Sequence, residues 1–254
     1  MPGRRPVLLI LGGTGDAVQL SHAAEQRFGE RLGVIYSLAG RTRAAAEAGG
    51  ELRVGGFGGV DGLARYIRDN NIDFLIDASH PFSAQISQHA CLAAAATATP
   101  RCLLTRPAWQ ARQGDVWHEA ADMSQAAALI PALGSRIFLS LGQRSLKYFS
   151  GLPDIWFLVR LIEAPKGPLP LAEAELITGR GPFDAASERR LFEKHRIDAI
   201  VTRASGGAAT QGKIDAARTL GLPVIMLRRP APPPGETADS IEAALLWLAR
   251  GLDP

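Results

Sequence analysis

The stretch Val7-Leu-Leu-Ile-Leu-Gly-Gly-Thr-Gly-Asp16 decides the fold of this 254-residue chain. Five consecutive apolar residues predict a strand that is buried on both faces, because a strand with one solvated face alternates apolar and polar residues. The glycines that follow allow a tight turn and a close approach of the backbone to a ligand. An amphipathic stretch over residues 17–28 predicts a helix directly after the turn. The first unit of a nucleotide-binding α/β sheet has this order of strand, turn and helix.

Short apolar strands and helical patterns alternate along most of the remaining chain. The alternation is interrupted by a non-periodic segment over residues 105–114 and starts again at Arg136, after Gly134-Ser135. We therefore predict an α/β protein of two Rossmann-like domains, each a mostly parallel sheet with flanking helices. The predicted boundary at Gly134-Ser135 gives domains over residues 1–134 and 135–254.

Composition excludes several classes of protein. Hydrophobic residues make up 46% and charged residues 21%, which is typical of a folded globular chain. The apolar runs are far shorter than the roughly 20 residues of a membrane span, and the first is too short for a signal peptide, so we expect a cytoplasmic protein. Cys91 and Cys102 have no histidine partner at metal-ligand spacing, so we expect two thiols and no metal site.

The basic residues are almost all arginine: only 4 of the 28 are lysine. They form no block or stripe with interleaved aromatic residues, which argues against a nucleic-acid partner. Base composition explains the excess, since alanine and glycine are abundant too. The alternative is functional, because guanidinium groups bind carboxylates and phosphates with two parallel hydrogen bonds.

The turn Gly12-Gly13-Thr14 is the strongest local signal for a ligand. The N-terminus of the following helix offers unbonded N–H groups and a positive dipole end, which suit a phosphate group. We therefore predict that Gly12, Gly13 and Thr14 bind a cofactor phosphate. The sequence lacks the complete G-x-G-x-x-G pattern, and a purely structural turn is the alternative.

The end of the second predicted strand indicates which dinucleotide is bound. NAD sites place an acidic residue there, whereas NADP sites favour arginine. This chain has no acid at that position but has Ser37, Arg41 and Thr42, whose hydroxyl and guanidinium groups are donors for a 2′-phosphate. The pattern favours NADP(H), with an ordinary basic loop as the alternative.

The fourth predicted strand ends in Asp77-Ala-Ser-His-Pro-Phe-Ser83. Ligands of open α/β sheets bind at this carboxyl edge. We predict that Asp77 and His80 contact the cofactor and that His80 and Ser79 are the candidate catalytic residues. A structural role for His80 is the alternative.

Two segments of the second half combine glycine with arginine after predicted strands. The first contains Arg180 and Gly181, and the second contains Arg203, Ser205, Gly206 and Gly207. A flexible backbone beside a guanidinium suits an anionic ligand, although glycine-rich loops are common after strands. The chain has no nucleophile motif, which favours a reaction whose chemistry is carried by a cofactor.

Taken together, these motifs resemble those of the precorrin-6A reductase family of cobalamin biosynthesis. The resemblance covers about residues 7–230 and rests on motifs in a specific order. They are Ile10-Leu-Gly-Gly-Thr14, Leu38-Ala-Gly-Arg-Thr42, Asp77-Ala-Ser-His-Pro-Phe82, Ile177-Thr-Gly-Arg-Gly-Pro-Phe183, and Thr202 to Gly207 followed by Lys213 and Pro223-Val-Ile225.

The resemblance implies reduction of one double bond of precorrin-6A, giving precorrin-6B, with NADPH as cofactor. It implies an N-terminal NADP-binding domain and a C-terminal domain that completes the substrate cleft. The implied substrate is a tetrapyrrole polycarboxylate, bound by the residues of the two glycine-arginine segments and by Lys213. The sequence predicts no nucleic-acid or membrane partner and leaves the oligomeric state open.

Two other functions remain compatible with the motifs. One is an NADP-dependent reductase of another anionic substrate, and the other is a non-catalytic module that senses NADP. The chain also departs from the family pattern, with Asp16 where related sequences tend to carry Glu, and Ala208-Ala209-Thr210 where they are often glycine-rich.

Overall fold

The computed structural model describes residues 4–40 and 48–253. The chain forms two compact units, the first from Met1–Arg106 together with Pro230–Pro254 and the second from Pro107–Arg229. Each unit contains one six-stranded sheet in which every strand pair is parallel. The predicted α/β fold class and the parallel sheets with flanking helices are confirmed.

The strands are, in chain order, β1 (Val7–Leu11), β2 (Gly33–Leu38), β3 (Glu51–Val54), β4 (Phe74–Asp77), β5 (Arg101–Leu104), β6 (Val116–Ala120), β7 (Arg136–Ser140), β8 (Trp156–Leu161), β9 (Glu173–Thr178), β10 (Ala199–Arg203), β11 (Pro223–Leu227) and β12 (Glu236–Ala238). The α-helices are α1 (Gly15–Phe28), α2 (Val60–Asp69), α3 (Ala84–Thr97), α4 (Met123–Leu129), α5 (Ala185–His195), α6 (Gly212–Leu220) and α7 (Ile241–Leu252). A 3₁₀ helix, Gln143–Phe149, follows β7.

The first sheet has the order β12-β5-β4-β1-β2-β3. Side chains of β1 alternate between its faces: Leu8 and Ile10 lie in one apolar cluster, and Leu9 and Leu11 lie in the other. Residues of α1 and α7 share the first cluster, and residues of α2 and α3 share the second. The uninterrupted apolar run of β1 therefore reflects a strand covered by helices on both sides.

The second sheet has the order β6-β11-β10-β7-β8-β9. Phe138 of β7 and Leu158 of β8 pack with Phe192 of α5 and Ile214 of α6 in its buried core. In the first sheet the chain runs from β1 outward to β2 and β3 and then returns to β4 on the other side of β1. In the second sheet it runs from β7 to β8 and β9 and then returns to β10 on the other side of β7. The strand order therefore reverses at β1/β4 and at β7/β10. The carboxyl ends of the strands at such a point form the crevice in which open α/β sheets bind ligands.

The predicted boundary at Gly134-Ser135 is corrected by the strand pairing. β6 and α4 precede that boundary but belong to the second unit, because β6 pairs with β11 from Pro223↔Val116 to Leu227↔Ala120. The C-terminal segment belongs to the first unit, because β12 pairs with β5 and α7 packs in the first core. The sequence pattern predicts where the strands lie, but it does not predict which sheet each strand joins.

Candidate functional site

The predicted cofactor segments meet at one edge of the first sheet. Leu11, the last residue of β1, is in register with Ser37 of β2 and with Asp77 of β4. The glycine turn, the end of β2 and the loop after β4 therefore all begin at the same level of the sheet. This edge includes the β1/β4 crevice.

The turn after β1 is shaped by a buried tyrosine. A Cβ at Gly12 would lie 2.3 Å from Cζ of Tyr36, so that only glycine fits there. Gly13 has φ 111°, and its N–H donates to the Tyr36 hydroxyl at 3.1 Å. Burial raises the pKa of Tyr36, and the hydrogen bond from Gly13 partly opposes that rise. Tyr36 fixes the turn, and the sequence offered no signal for this contact.

Thr14 is the N-cap of α1. Its hydroxyl accepts a hydrogen bond from the Ala17 N–H at 3.1 Å and donates to the Ala78 carbonyl at 2.9 Å. The side chain therefore joins the turn after β1 to the residue that follows β4. A Cβ at Gly15, the first residue of α1, would meet nothing within 4 Å. Exposed glycines beside a helix N-terminus fit a phosphate group, which approaches the backbone closely.

An ion pair lies at the start of α1. Nη1 of Arg106, which follows β5, is 2.5 Å from a carboxylate oxygen of Asp16 in the first helical turn. Acidic residues are stabilising at a helix N-terminus, and the arginine adds a cation at the same place. Sequence reasoning did not connect these residues, because they are far apart in the chain.

Ser37 is buried and accepts a hydrogen bond from Nη1 of Arg53 at 3.2 Å. Arg41 and Thr42, the other residues predicted to bind the 2′-phosphate, lie outside the described residues. Asp77 is fully buried, and one of its carboxylate oxygens accepts from the Ser79 N–H at 3.0 Å. Asp77 therefore stabilises the backbone of the loop after β4 through this buried hydrogen bond.

The two candidate catalytic residues differ in environment. Ser79 is buried, with its Oγ 3.4 Å from Oγ of Ser87. His80 is half-buried, and its Nδ1 accepts from the Phe82 N–H at 3.2 Å. A neutral imidazole that accepts at Nδ1 carries its proton on Nε2. Of the two residues, His80 is the more accessible.

The two glycine-arginine segments lie against each other at the carboxyl edge of the second sheet. The Phe183 N–H donates to the Ala209 carbonyl at 3.0 Å, and a Cβ at Gly181 would lie 2.7 Å from the same oxygen. Gly206 has φ 61°, and a Cβ there would lie 2.2 Å from the Pro107 carbonyl. These glycines are required by close packing of loops. Arg180 is exposed.

Arg203 lies at the β7/β10 crevice. Its Nη2 donates to the Ser145 hydroxyl at 2.9 Å, and its guanidinium is 3.9 Å from the position of a Cβ at Gly142. Burial lowers the pKa of Arg203. Ser205 is buried, and its N–H donates to the Arg203 carbonyl at 2.7 Å. Gly207, with φ 93°, continues the same loop.

Lys213 of α6 is a buried cation. Its Nζ donates to the Thr210 carbonyl at 2.9 Å and lies 4.8 Å from the centroid of the Trp109 ring. Burial lowers the pKa of Lys213 to about 7; the charge of Glu188 opposes that shift and the charge of Arg160 adds to it.

Glu188 and Arg160 form the buried ion pair beside this lysine. Two parallel hydrogen bonds of 2.8 and 2.6 Å join them, and their side chains are 2% and 10% exposed. The guanidinium also lies 4.1 Å from the centroid of the Phe183 ring, below the first glycine-arginine segment. The sequence signal for this pair is the arginine inside the otherwise apolar strand Trp-Phe-Leu-Val-Arg-Leu161.

Other features of the described residues point to no additional chemistry. No group of three or more His, Cys, Asp or Glu side chains within residues 4–40 and 48–253 could hold a metal ion. Within the same ranges no helix is both long and apolar enough to cross a bilayer. A cavity at the amino edge of the second sheet includes Asp198, whose carboxylate already accepts from the N–H groups of Ser135 and Arg136.

Residues 7–249 match the family model described as precorrin-6x reductase CbiJ/CobK. The chain is 46% identical over 242 residues to a precorrin-6A reductase of Rhodococcus erythropolis, covering 95% of this chain and 96% of the relative. It is 40% identical to a precorrin-6A reductase of Rhodobacter capsulatus, covering 95% of each chain. Identity to a cobalt-precorrin-6A reductase of Salmonella typhimurium is 27%, covering 89% of this chain and 88% of the relative.

A solved structure described as CobK precorrin-6A reductase has the same fold. It superposes with a TM-score of 0.90 at 39% sequence identity, and the match covers 97% of each chain. The architecture described above is therefore shared across essentially the whole length of both proteins.

Proposed function

This chain belongs to the precorrin-6x reductase family, and on that premise we propose that it reduces precorrin-6A to precorrin-6B with NADPH in cobalamin biosynthesis. The observation that carries the proposal is the glycine turn at the β1/β4 crevice. It has an open helix N-terminus and no room for a side chain at Gly12. This arrangement supports a dinucleotide site in the first unit.

In this proposal the first unit binds the cofactor. The backbone of Gly12, Gly13 and Gly15 and the N-terminus of α1 hold the pyrophosphate, while Thr14 keeps the turn fixed against Ala78. Arg106 pairs with Asp16, so the acidic residue in the first turn of α1 is neutralised beside the pyrophosphate. When bound, NADPH supplies the hydride, so the residues of the chain need to supply only orientation and charge.

The second unit then supplies the cations for the acetate and propionate groups of the tetrapyrrole. Arg180 and Arg203 offer guanidinium groups at its carboxyl edge. Buried charged residues hold the backbone next to these guanidinium groups. Lys213 contacts Thr210 and Trp109, and Arg160, paired with Glu188, contacts Phe183. Guanidinium groups suit carboxylates because they bind them with two parallel hydrogen bonds.

Reduction of one double bond also takes a proton, which in this proposal comes from solvent, with His80 as the residue that orients its delivery. The Phe82 N–H donates to Nδ1, so the neutral imidazole carries its proton on Nε2 and can hydrogen-bond a water molecule or a substrate atom without giving that proton up. Ser79 supports the loop from its buried position next to Ser87. We further propose a metal-free substrate, because identity is higher to the precorrin-6A reductases than to the cobalt-precorrin-6A reductase.

Absorbance of NADPH, followed with and without precorrin-6A, tests the function. We expect oxidation of NADPH only when precorrin-6A is present, with a product two hydrogens heavier by mass spectrometry. Oxidation by a different anionic substrate alone would indicate another reductase. Binding of NADPH with no oxidation under any condition would indicate a sensing module, and either result would overturn the proposal.

A further inference from the structure

Arg53 lies at the end of the first sheet where a Rossmann fold holds the adenosine ribose. It is in register with Ser37, the residue of β2 at that position. Nη1 of Arg53 donates to the Ser37 hydroxyl at 3.2 Å and to the Gly55 carbonyl at 2.5 Å, and Nη2 donates to the Gly56 carbonyl at 3.2 Å. Because Ser37 is buried, the polar group nearer to solvent here is the guanidinium of Arg53.

Two aromatic rings hold this guanidinium in place. Its Cζ is 3.7 Å from the centroid of the Phe57 ring and 4.8 Å from that of Tyr66, and the two rings meet edge to face. Such contacts orient an arginine without neutralising it. Burial lowers the pKa of Arg53 and nearby Tyr66 opposes that shift, but a guanidinium stays charged at neutral pH.

No carboxylate within residues 4–40 and 48–253 forms an ion pair with Arg53. Arg160, near the carboxyl end of β8 in the second unit, is instead paired with Glu188. A Cβ at Gly55 or at Gly56, whose carbonyl groups accept from this guanidinium, would meet none of the described atoms within 4 Å. Within the part of the chain that the structure describes, Arg53 is thus a half-buried cation that is held in place and has no paired carboxylate, which suits an anionic ligand.

We propose that Arg53 is a specificity-determining residue that binds the 2′-phosphate of NADPH and so discriminates against NADH. This inference rests on the proposed function, because it needs the adenosine half of the cofactor at the end of β2. Arg53 lies on β3, the strand next to β2 and Ser37. Its contacts with Ser37, Gly55 and Phe57 hold the guanidinium in position before the ligand arrives.

Titration calorimetry with 2′,5′-ADP and with 5′-AMP tests the inference without substrate. We expect the wild-type protein to bind 2′,5′-ADP more tightly than 5′-AMP. Arg53→Gln should weaken 2′,5′-ADP by about 10- to 100-fold, the loss typical of one charge-assisted contact, and leave 5′-AMP unchanged. Arg53→Lys keeps the charge without the planar group and should give a smaller loss. Arg65→Gln, an exposed arginine on α2, is the matched control and should change neither ligand.

Each contrary outcome has its own pattern. If Arg53→Gln keeps the wild-type preference for 2′,5′-ADP, or weakens both ligands equally, Arg53 does not read the 2′-phosphate and the inference fails alone. If Arg53→Gln is poorly folded by thermal unfolding, the same comparison with Arg53→Lys decides. If the wild-type protein itself shows no preference for 2′,5′-ADP, the choice of NADPH in the proposed function fails, and the inference fails with it.

Discussion

Five strands of each sheet follow the same order, but the chemistry at the two strand-order reversals differs. At β1/β4 the chain has a glycine turn and then α1, a 14-residue helix whose N-terminus is open. At β7/β10, Gly142 leads only into a 3₁₀ helix, and the guanidinium of Arg203 lies against it. The first crevice thus offers backbone N–H groups, whereas the second offers a cation. The shared topology supplies the location, and the local residues determine which ligand suits it.

The carboxyl edges of the two sheets also differ in the buried contacts that hold them. The first edge is held by close packing of Gly12 on Tyr36 and by the Thr14 hydroxyl. The second edge is held by charged side chains, with Arg160, Glu188 and Lys213 all buried or nearly so. If this contrast is correct, the stability of the second unit should depend on buried charges and on pH. The stability of the first unit should depend on the volume of the side chains packed at its glycine turn. Three variants test these expectations.

The largest expected effect is that of Glu188→Gln. The substitution keeps the shape of the side chain but leaves the Arg160 guanidinium buried without its counter-charge. Breaking a buried pair in this way costs about 3–5 kcal/mol of unfolding free energy. Urea unfolding at neutral pH measures the loss.

Glu193→Gln is the matched control on the same helix. Glu193 pairs with Arg189 at 3.7 Å, and both side chains are about half exposed. Exposed pairs contribute roughly 0–1 kcal/mol, so the control should unfold almost as the wild type does. Equal losses in the two variants would contradict the claim that the second edge depends on buried charge.

Lys213→Met should stabilise the protein, and the gain should depend on pH. The unfolded chain holds this proton up to its ordinary pKa of 10.5, whereas the folded protein releases it at about 7. Below pH 7 both states are protonated and the full cost of burying the charge is present. Between about pH 7 and 10 the unfolded state binds more protons, so wild-type stability rises by about 1.4 kcal/mol per pH unit relative to the variant.

We therefore expect Lys213→Met to be more stable by about 2–4 kcal/mol at pH 6, after the lost contacts to Thr210 and Trp109 are subtracted. The gain should shrink by pH 9. Urea unfolding at both pH values measures it, with exposed Lys194→Met as the control that should show no trend. A gain independent of pH would mean that Lys213 is not a buried cation.

The smallest of the three effects is that of Gly12→Ala. A methyl group would lie 2.3 Å from the Tyr36 ring, and forcing an extra carbon into such a contact costs about 1–3 kcal/mol. Thermal unfolding without ligand measures the loss, and titration with NADPH should show weaker binding because the turn is displaced. Gly15→Ala, which meets nothing within 4 Å, should leave unfolding within about 0.5 kcal/mol of wild type. A harmless Gly12→Ala would contradict the packing of this turn.

The sequence predicted the elements better than their assembly. Runs such as Val7–Leu11 identify buried strands directly, and the loops that follow them were placed correctly at the carboxyl edges. β12 was missed because three residues, Glu-Thr-Ala, are too short to show a period. The boundary was misplaced because strand pairing is decided by tertiary contacts that alternation does not encode.

Within the candidate sites, the sequence predicted motifs but not partners. The glycine turn and the loops around Arg180 and Arg203 were visible because their residues are neighbours in the chain. The Asp16–Arg106 and Arg160–Glu188 pairs join residues on separate elements, and the Arg53–Ser37 contact depends on the β2/β3 register. Only the fold brings such pairs together.

The division of the first unit into two separate segments of the chain bears on the order in which the two units fold during synthesis. The first unit lacks β12 and α7 until the last segment of the chain has been synthesised, since Ala244, Leu245 and Leu248 complete its apolar core. The second unit, by contrast, is one continuous segment. We therefore expect the unit that is translated first to complete its folding last, with the edge of β5 unpaired until β12 has been synthesised.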